Sequence, residues 1–187
     1  MAATRRDPML AAGEDLFLRR GFAAVGLREL LDTVGASKGA FYHFFPSKEA
    51  FASSVLERQA ARRAEEMQGA IAGGALAQVV AWFRHDLDAQ VAAGFVPRCL
   101  ASRLAVDLGA GMPAGPVRDA LRLLESVLAE ALAQGQRAGA IYDGFEPRAA
   151  ARHLLDLWRG ATTRAAADQD DAGPRAALDH MAVWLKP

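Results

Sequence analysis

Lys38, Gly39, Tyr42 and His43 fall within one short stretch of the chain. They are polar or tiny, and at helical spacing they gather towards one side. Ala40, Phe41, Phe44 and Phe45 supply the apolar remainder, and the three phenylalanines are expected in a core. Ser37 can cap the helix that carries them, and exposed N–H groups at a helix start suit a phosphate. A preceding short helix joins this one through Gly35-Ala36-Ser37. That spacing is a helix-turn-helix, in which the first helix crosses the nucleic-acid backbone and the second enters the major groove.

Catalytic chemistry finds less support. His43, His85, His153 and His180 are scattered along the chain. His153 and Asp156 are one turn apart, the ordinary arrangement of an exposed helix pair. No His-Glu-x-x-His, Gly-x-Ser-x-Gly or glycine-rich phosphate loop occurs. No enzyme activity, cofactor or metal is therefore expected. The single cysteine, Cys99, excludes an internal disulfide framework and a multi-cysteine zinc site. Two readings of Cys99 stay open. It is a small buried hydrophobe, or a reactive thiol at a helix start, beside Arg98 and one turn from Arg103.

The elements that must position these groups read as helices throughout. Strand signals are nearly absent: no alternating β-branched run and no Asn-Gly or Asp-Gly hairpin stands between apolar runs. Asp7-Pro8 opens a first helix with the stripe Met9, Ala12, Leu16 and Phe17, which Gly21 can close in a left-handed conformation. Leu27, Leu30, Leu31 and Val34 mark the second helix, closed by Gly35. The third runs from Lys38 to about Phe45 and ends at Pro46. Ser47 caps a long fourth helix towards Ile71, with Glu49 in its first turn. Later stripes run from Leu76 to Val91, from Val117 to Leu132, from Pro147 through Leu154, Leu155 and Trp158, and from Pro174 to Leu185. A shorter helix is expected from Pro97 to about Leu108, followed by a glycine- and proline-rich loop over 109–116. The chain is expected to be all-α.

Composition agrees with a folded domain. Of 187 residues, 52% are hydrophobic and 24% charged, which suits a globular protein and not a disordered one. That length buries a sizeable core without staples. Lys+Arg and Asp+Glu are equal at 22 each, so overall charge suggests no polyanionic partner. The balance hides a split, because the first 63 residues carry an excess of basic groups and the rest an excess of acidic ones. No apolar run is long enough for a membrane span, and no apolar segment follows Arg5-Arg6 as a signal peptide would require. A cytoplasmic protein with no membrane partner is expected.

The string from Gly35 to Ala50 resembles the DNA-binding signature of the TetR family of bacterial transcriptional regulators. Phe17, Gly21-Phe22 and Leu27-Arg28-Glu29-Leu30 fit the same pattern. The resemblance implies a helix-turn-helix DNA-binding domain over 1–48 and a helical effector-binding and dimerisation domain over 49–187. It implies a homodimer, a double-stranded DNA operator, a small-molecule effector and no cofactor. Matched residue by residue, Ser37, Lys38 and Gly39 open the recognition helix, and Gly39 lets the backbone approach DNA. Lys38, Tyr42 and His43 reach phosphates or base edges, Lys48 holds a phosphate, and Arg28 is a further candidate. Arg5 and Arg6 are candidates for a basic arm. Where the family often has Thr or Ser ahead of the second helix, this chain has Val25-Gly26, which offers no hydroxyl.

The second half is similar to one TetR subgroup, in which a Gly-Cys-Leu string opens the sixth helix. Here Arg98 replaces that glycine before Cys99-Leu100, and Ala133-Gln134 to Gly139 and Ile141 complete the pattern. Some members of the subgroup respond to reactive electrophiles or small unsaturated acids, and some use the cysteine. The effector pocket is expected among the helices of this half. Its candidates are Trp82, Phe83, His85, Phe95, Cys99, Arg103, Met112 and Trp158. An arginine inside would favour an anionic ligand. The resemblance also places the dimer interface on the last two helices, with Leu154, Leu155, Trp158, Leu178, Met181, Trp184 and Leu185 as its apolar faces. The competing reading packs those faces inside one chain. The expected function is a ligand-responsive homodimeric repressor released from a palindromic operator by a small-molecule effector; the alternatives are a transcriptional activator of the same fold and a helical interaction protein that has lost DNA binding.

Overall fold

Each helix is set by an apolar stripe and a recognisable stop. In a computed structural model, which describes residues 6–187, the order is α1 (Arg6–Ala24), α2 (Leu27–Val34), α3 (Lys38–Phe44), α4 (Lys48–Ala70) and α5 (Leu76–Ala92), then α6 (Leu100–Ala105), α7 (Ala114–Arg137), α8 (Pro147–Asp168) and α9 (Ala172–Trp184). The described residues contain no strand. None of their helices is long and apolar enough to cross a membrane.

The local stops behave as capping chemistry requires. Gly35 takes the left-handed conformation and its N–H bonds back to Asp32, ending α2. Ser37 Oγ accepts the N–H of Ala40 at 3.2 Å and starts α3. Ser47 does the same for Ala50 at 3.1 Å and starts α4. Glu146 accepts from the N–H groups of Arg148 and Ala149, with Pro147 at the first helical position of α8.

Four boundaries differ from the sequence reading. Gly21 interrupts α1 with φ 80° and ψ 173°, a region beyond the left-handed helix that only glycine enters at low cost. The helix resumes to Ala24 instead of ending there. The helix expected over Pro97–Leu108 is only six residues long, followed by a single 3-10 turn at Leu108–Ala110. Beyond it, the Asp107 carbonyl accepts from the N–H groups of Ala110 and Met112 in a tight turn, and its carboxylate accepts from the N–H of Phe22 at 2.6 Å. Conversely, α7 starts at Ala114 and α9 at Ala172. Pro116 and Pro174 therefore sit inside first turns, where a missing N–H costs nothing.

The chain divides into two compact units. One comprises the residues up to Ala61 together with Cys99–Leu121, the other Arg62–Arg98 and Arg122–Pro187. The core of the first is aromatic: Phe17, Phe41, Phe45 and Phe51 are fully or almost fully buried, with ring centroids 4.9–5.8 Å apart in tilted and edge-on pairs. The core of the second is built from α5, α8 and α9 around Phe83, Leu87, Leu154, Trp158 and Met181, with residues of α4 and α7 closing it.

Leu154, Leu155, Trp158, Leu178, Met181 and Leu185 belong to that second core, each at most 4% exposed. Each is covered within its own chain. The amphipathic stripe marks what is buried and is silent on what buries it. Of the seven residues expected at a dimer interface, Trp184 alone is half-buried, stacked on Phe145 at 4.8 Å.

Candidate functional site

In the first unit, α3 presents two chemically opposite faces. Phe41 is fully buried, and Phe45 just beyond the helix is 2% exposed. Lys38, Gly39, Tyr42 and His43 are all exposed. Neighbouring rings position the exposed groups: buried Phe41 holds Tyr42 edge-on at 5.4 Å, and Phe44, only half-buried where the sequence suggests core, holds His43 at 4.9 Å. In front of Gly39 a Cβ would meet nothing closer than Ser37 Oγ at 3.9 Å, so the helix is open to an approaching surface there. The exposed face thus combines a cation, two polar aromatic tips and bare backbone.

Arg28 on α2 is also exposed, with its guanidinium 3.8 Å from Asp32. Arg6 lies over the Phe45 ring at 5.5 Å, and Arg5 lies outside the described residues. Lys48 is half-buried, and Nζ donates to the Phe22 carbonyl at 2.6 Å. The same ammonium sits 4.1 Å from the centre of the Phe22 ring. Burial pushes the lysine below its usual range, partly offset by the carboxylates of Glu49 and Asp107.

The main chain of Phe22 is therefore held on both sides, its N–H by Asp107 and its C=O by Lys48. A Cβ on Gly21 would fall 2.7 Å from Asp107 Oδ2 and Arg103 Nη2. Arg103, expected in an effector pocket, instead packs with Asp107 against this backbone in the first unit. Met112, 3% exposed, is core of the same unit. Cys99 is half-buried against that core, and its Sγ accepts from Ser102 Oγ at 3.1 Å.

In the second unit, the structure brings Trp82 and His85 together with groups the sequence reading passed over. They line a cavity of about 260 Å³ with Arg63, Glu66, Asp86 and Arg98. Asp86 is its hub. Oδ1 accepts from Arg63 Nη2 and Arg98 Nε, both at 2.9 Å, and Oδ2 accepts from Trp158 Nε1 at 2.8 Å. One turn further on, Gln90 Nε2 donates to the Thr162 carbonyl at 2.8 Å, so α5 and α8 share two successive polar rungs. Phe83 is core, packed edge-on against Trp82 and Trp158. Phe95 lies in the turn after α5 at φ 62° and does not line the cavity. The missed signal was Asp86, a charge in register with Val79, Trp82 and Phe83 on the apolar side of its helix.

An all-α chain with an exposed polar recognition face on a helix-turn-helix and a separate helical unit defines a class of DNA-binding regulator. The model of the bacterial regulatory proteins of the tetR family matches residues 9–55. The transcriptional repressor NemR of Escherichia coli K12 is 33% identical over 182 residues, covering 94% of this chain and 91% of that protein. The transcriptional regulator AcuR of Cereibacter sphaeroides is 26% identical over 170 residues, covering 88% and 77%. The crystal structure of reduced E. coli NemR superposes with a TM-score of 0.87 at 30% identity, covering 97% of each chain. A TetR regulatory protein from Rhodobacter sphaeroides shares the fold at a TM-score of 0.89 and 22% identity, covering 98% of this chain and all of that one. The chain belongs to the TetR family of bacterial regulatory proteins.

Proposed function

We propose that the protein is a homodimeric repressor that binds a roughly palindromic operator through α3 and leaves it when a small-molecule effector binds the second unit. The observation that carries the DNA-binding part is the split of α3, with Lys38, Gly39, Tyr42 and His43 outward and Phe41 buried. A surface of that composition has no packing role to explain it. Relatives named as repressors support the sense of regulation. Two copies related by a two-fold axis would place two recognition helices about one DNA turn apart, or a multiple of it. The outward faces of α8 and α9, where Val183 is 76% exposed beside half-buried Trp184, are the candidate surface between copies. The effector must bind the DNA-free form more tightly than the DNA-bound one, since equal affinity shifts nothing.

The test is a selection of genomic fragments on the purified protein at near-physiological salt, read by sequencing. A palindromic site whose binding weakens steeply with added salt is the expected result. No enriched site, or binding unchanged when Tyr42 and Lys38 are both replaced by Ala in a folded dimer, would sink the reading.

A further inference from the structure

We propose that the cavity around Arg63 binds an aromatic monocarboxylate, with Arg63 as the anion-binding residue and Trp82 as the wall for the ring. This deepens the effector reading of the second unit and rests on it. Arg63 is 5% exposed, and its Nε is buried with no hydrogen-bond partner. Buried guanidinium groups are expensive unless their charge and their N–H groups are satisfied. Arg63 has only a share of one carboxylate, because Asp86 also accepts from Arg98 and from Trp158. Glu66 lines the same cavity but directs its carboxylate to Arg62 at 3.2 Å. A guanidinium that lines a cavity with an idle N–H is therefore a donor in search of an anion.

The surroundings narrow the class. Asp86 and Glu66 would repel a doubly charged phosphate, whereas a monoanion meets one under-neutralised cation. Trp82 is buried beside the guanidinium, with the Arg63 carbon 5.4 Å from its ring centre. Its indole lines the cavity beside that guanidinium, an apolar aromatic wall for the body of the ligand. A volume of about 260 Å³ lies below the usual range for drug-sized ligands, so one ring with a carboxylate is the scale that fits. The incoming carboxylate would take Arg63 Nε and compete with Asp86 for the remaining N–H groups.

The experiment is calorimetric titration of the full-length protein without DNA, using benzoate, benzamide, propionate and inorganic phosphate. Benzoate is expected to bind at one site per chain, about tenfold or more tightly than neutral, isosteric benzamide. Propionate and phosphate should both be weaker than benzoate. Arg63→Gln, checked for helical content by circular dichroism, should weaken benzoate about tenfold or more. Equal binding of benzamide, tighter binding of phosphate, or an unchanged affinity in folded Arg63→Gln would overturn the proposal. Should that variant not fold, the comparison of benzoate with benzamide on the unaltered chain decides alone. Because the titration contains no DNA, its failure leaves the repressor reading intact. Failure of the fragment selection, in turn, leaves a positive benzoate result standing.

Discussion

Lys48 Nζ donates to the main-chain carbonyl of Phe22 at 2.6 Å, across 26 residues of sequence. With Asp107 on the N–H of the same residue, it fixes the main chain on both sides of Phe22, directly after the break at Gly21. A lysine normally leaves its ammonium in water. Here it is drawn inward, and burial makes its charged form less favourable than in the unfolded chain.

That arrangement gives Lys48 a positioning role with an unusual stability signature. The folded state holds the lysine proton less tightly than the unfolded state does. Stability should therefore rise as pH climbs from the lowered folded value to the ordinary lysine range. Lys48→Met removes this unfavourable charge and also the bond to Phe22. The two losses oppose each other, so the urea midpoint at neutral pH should change by no more than about 1 kcal/mol in equivalent stability. The rise with alkaline pH should disappear. A variant that keeps the alkaline rise would assign it to another group.

Much of this organisation was legible in the sequence, and the exceptions share one cause. Glycine and proline stops, serine caps and apolar stripes act within a few residues, so the helices and the outward face of α3 could be read directly. The bond from the Phe22 N–H to Asp107 could not, because it joins residues 85 apart in the chain. Arg63 and Asp86 look like ordinary solvated charges until packing brings them together across 23 residues. By place in the chain Arg103 and Met112 fall in the effector half, yet they pack in the first unit. Chain order does not reveal that Cys99–Leu121 folds with the residues up to Ala61.

Asp86 should be the costliest single charge to remove. It is 6% exposed and accepts from two guanidinium groups and an indole N–H. Asp86→Ala strands the Arg63 charge in a site that is 5% exposed. Losing one partner of such a pair costs about 3–5 kcal/mol. Urea unfolding at neutral pH measures it, and a loss below about 1 kcal/mol would show that Arg63 recovers its hydration.

Glu125 on α7 should confer an acid-dependent term. It accepts from Arg152 at 3.1 Å and from Arg148 at 2.9 Å, both on α8. The hydrogen bond from Arg152 is the largest cause holding its carboxyl below the usual range, and Arg148 adds to it against the opposing cost of burial. Its contribution is present above the unfolded value and is lost as pH falls through the lowered folded one. Both arginines are more than half exposed, so Glu125→Gln should cost only about 1 kcal/mol at pH 7. The difference from the unaltered chain should close as pH drops below roughly 4. A gap that does not narrow at all as pH falls through the acid range would mean that the carboxylate charge is not its source.

Gly39 separates folding from DNA recognition most cleanly. Its φ is not among the positive values, and a Cβ there meets only Ser37 Oγ at 3.9 Å. Alanine is thus accommodated by the fold and favoured by helix propensity, by roughly 0.5–1 kcal/mol. On the proposed DNA surface the same methyl group stands between the helix backbone and its target. Gly39→Ala should leave thermal stability equal or higher while weakening operator binding about tenfold, the equivalent of one lost close contact. Binding measured on the selected site reads the second effect, and differential scanning calorimetry reads the first. If both properties fall together, Gly39 is a structural residue. If stability rises and operator affinity is unchanged, the outward face of α3 is not where DNA sits.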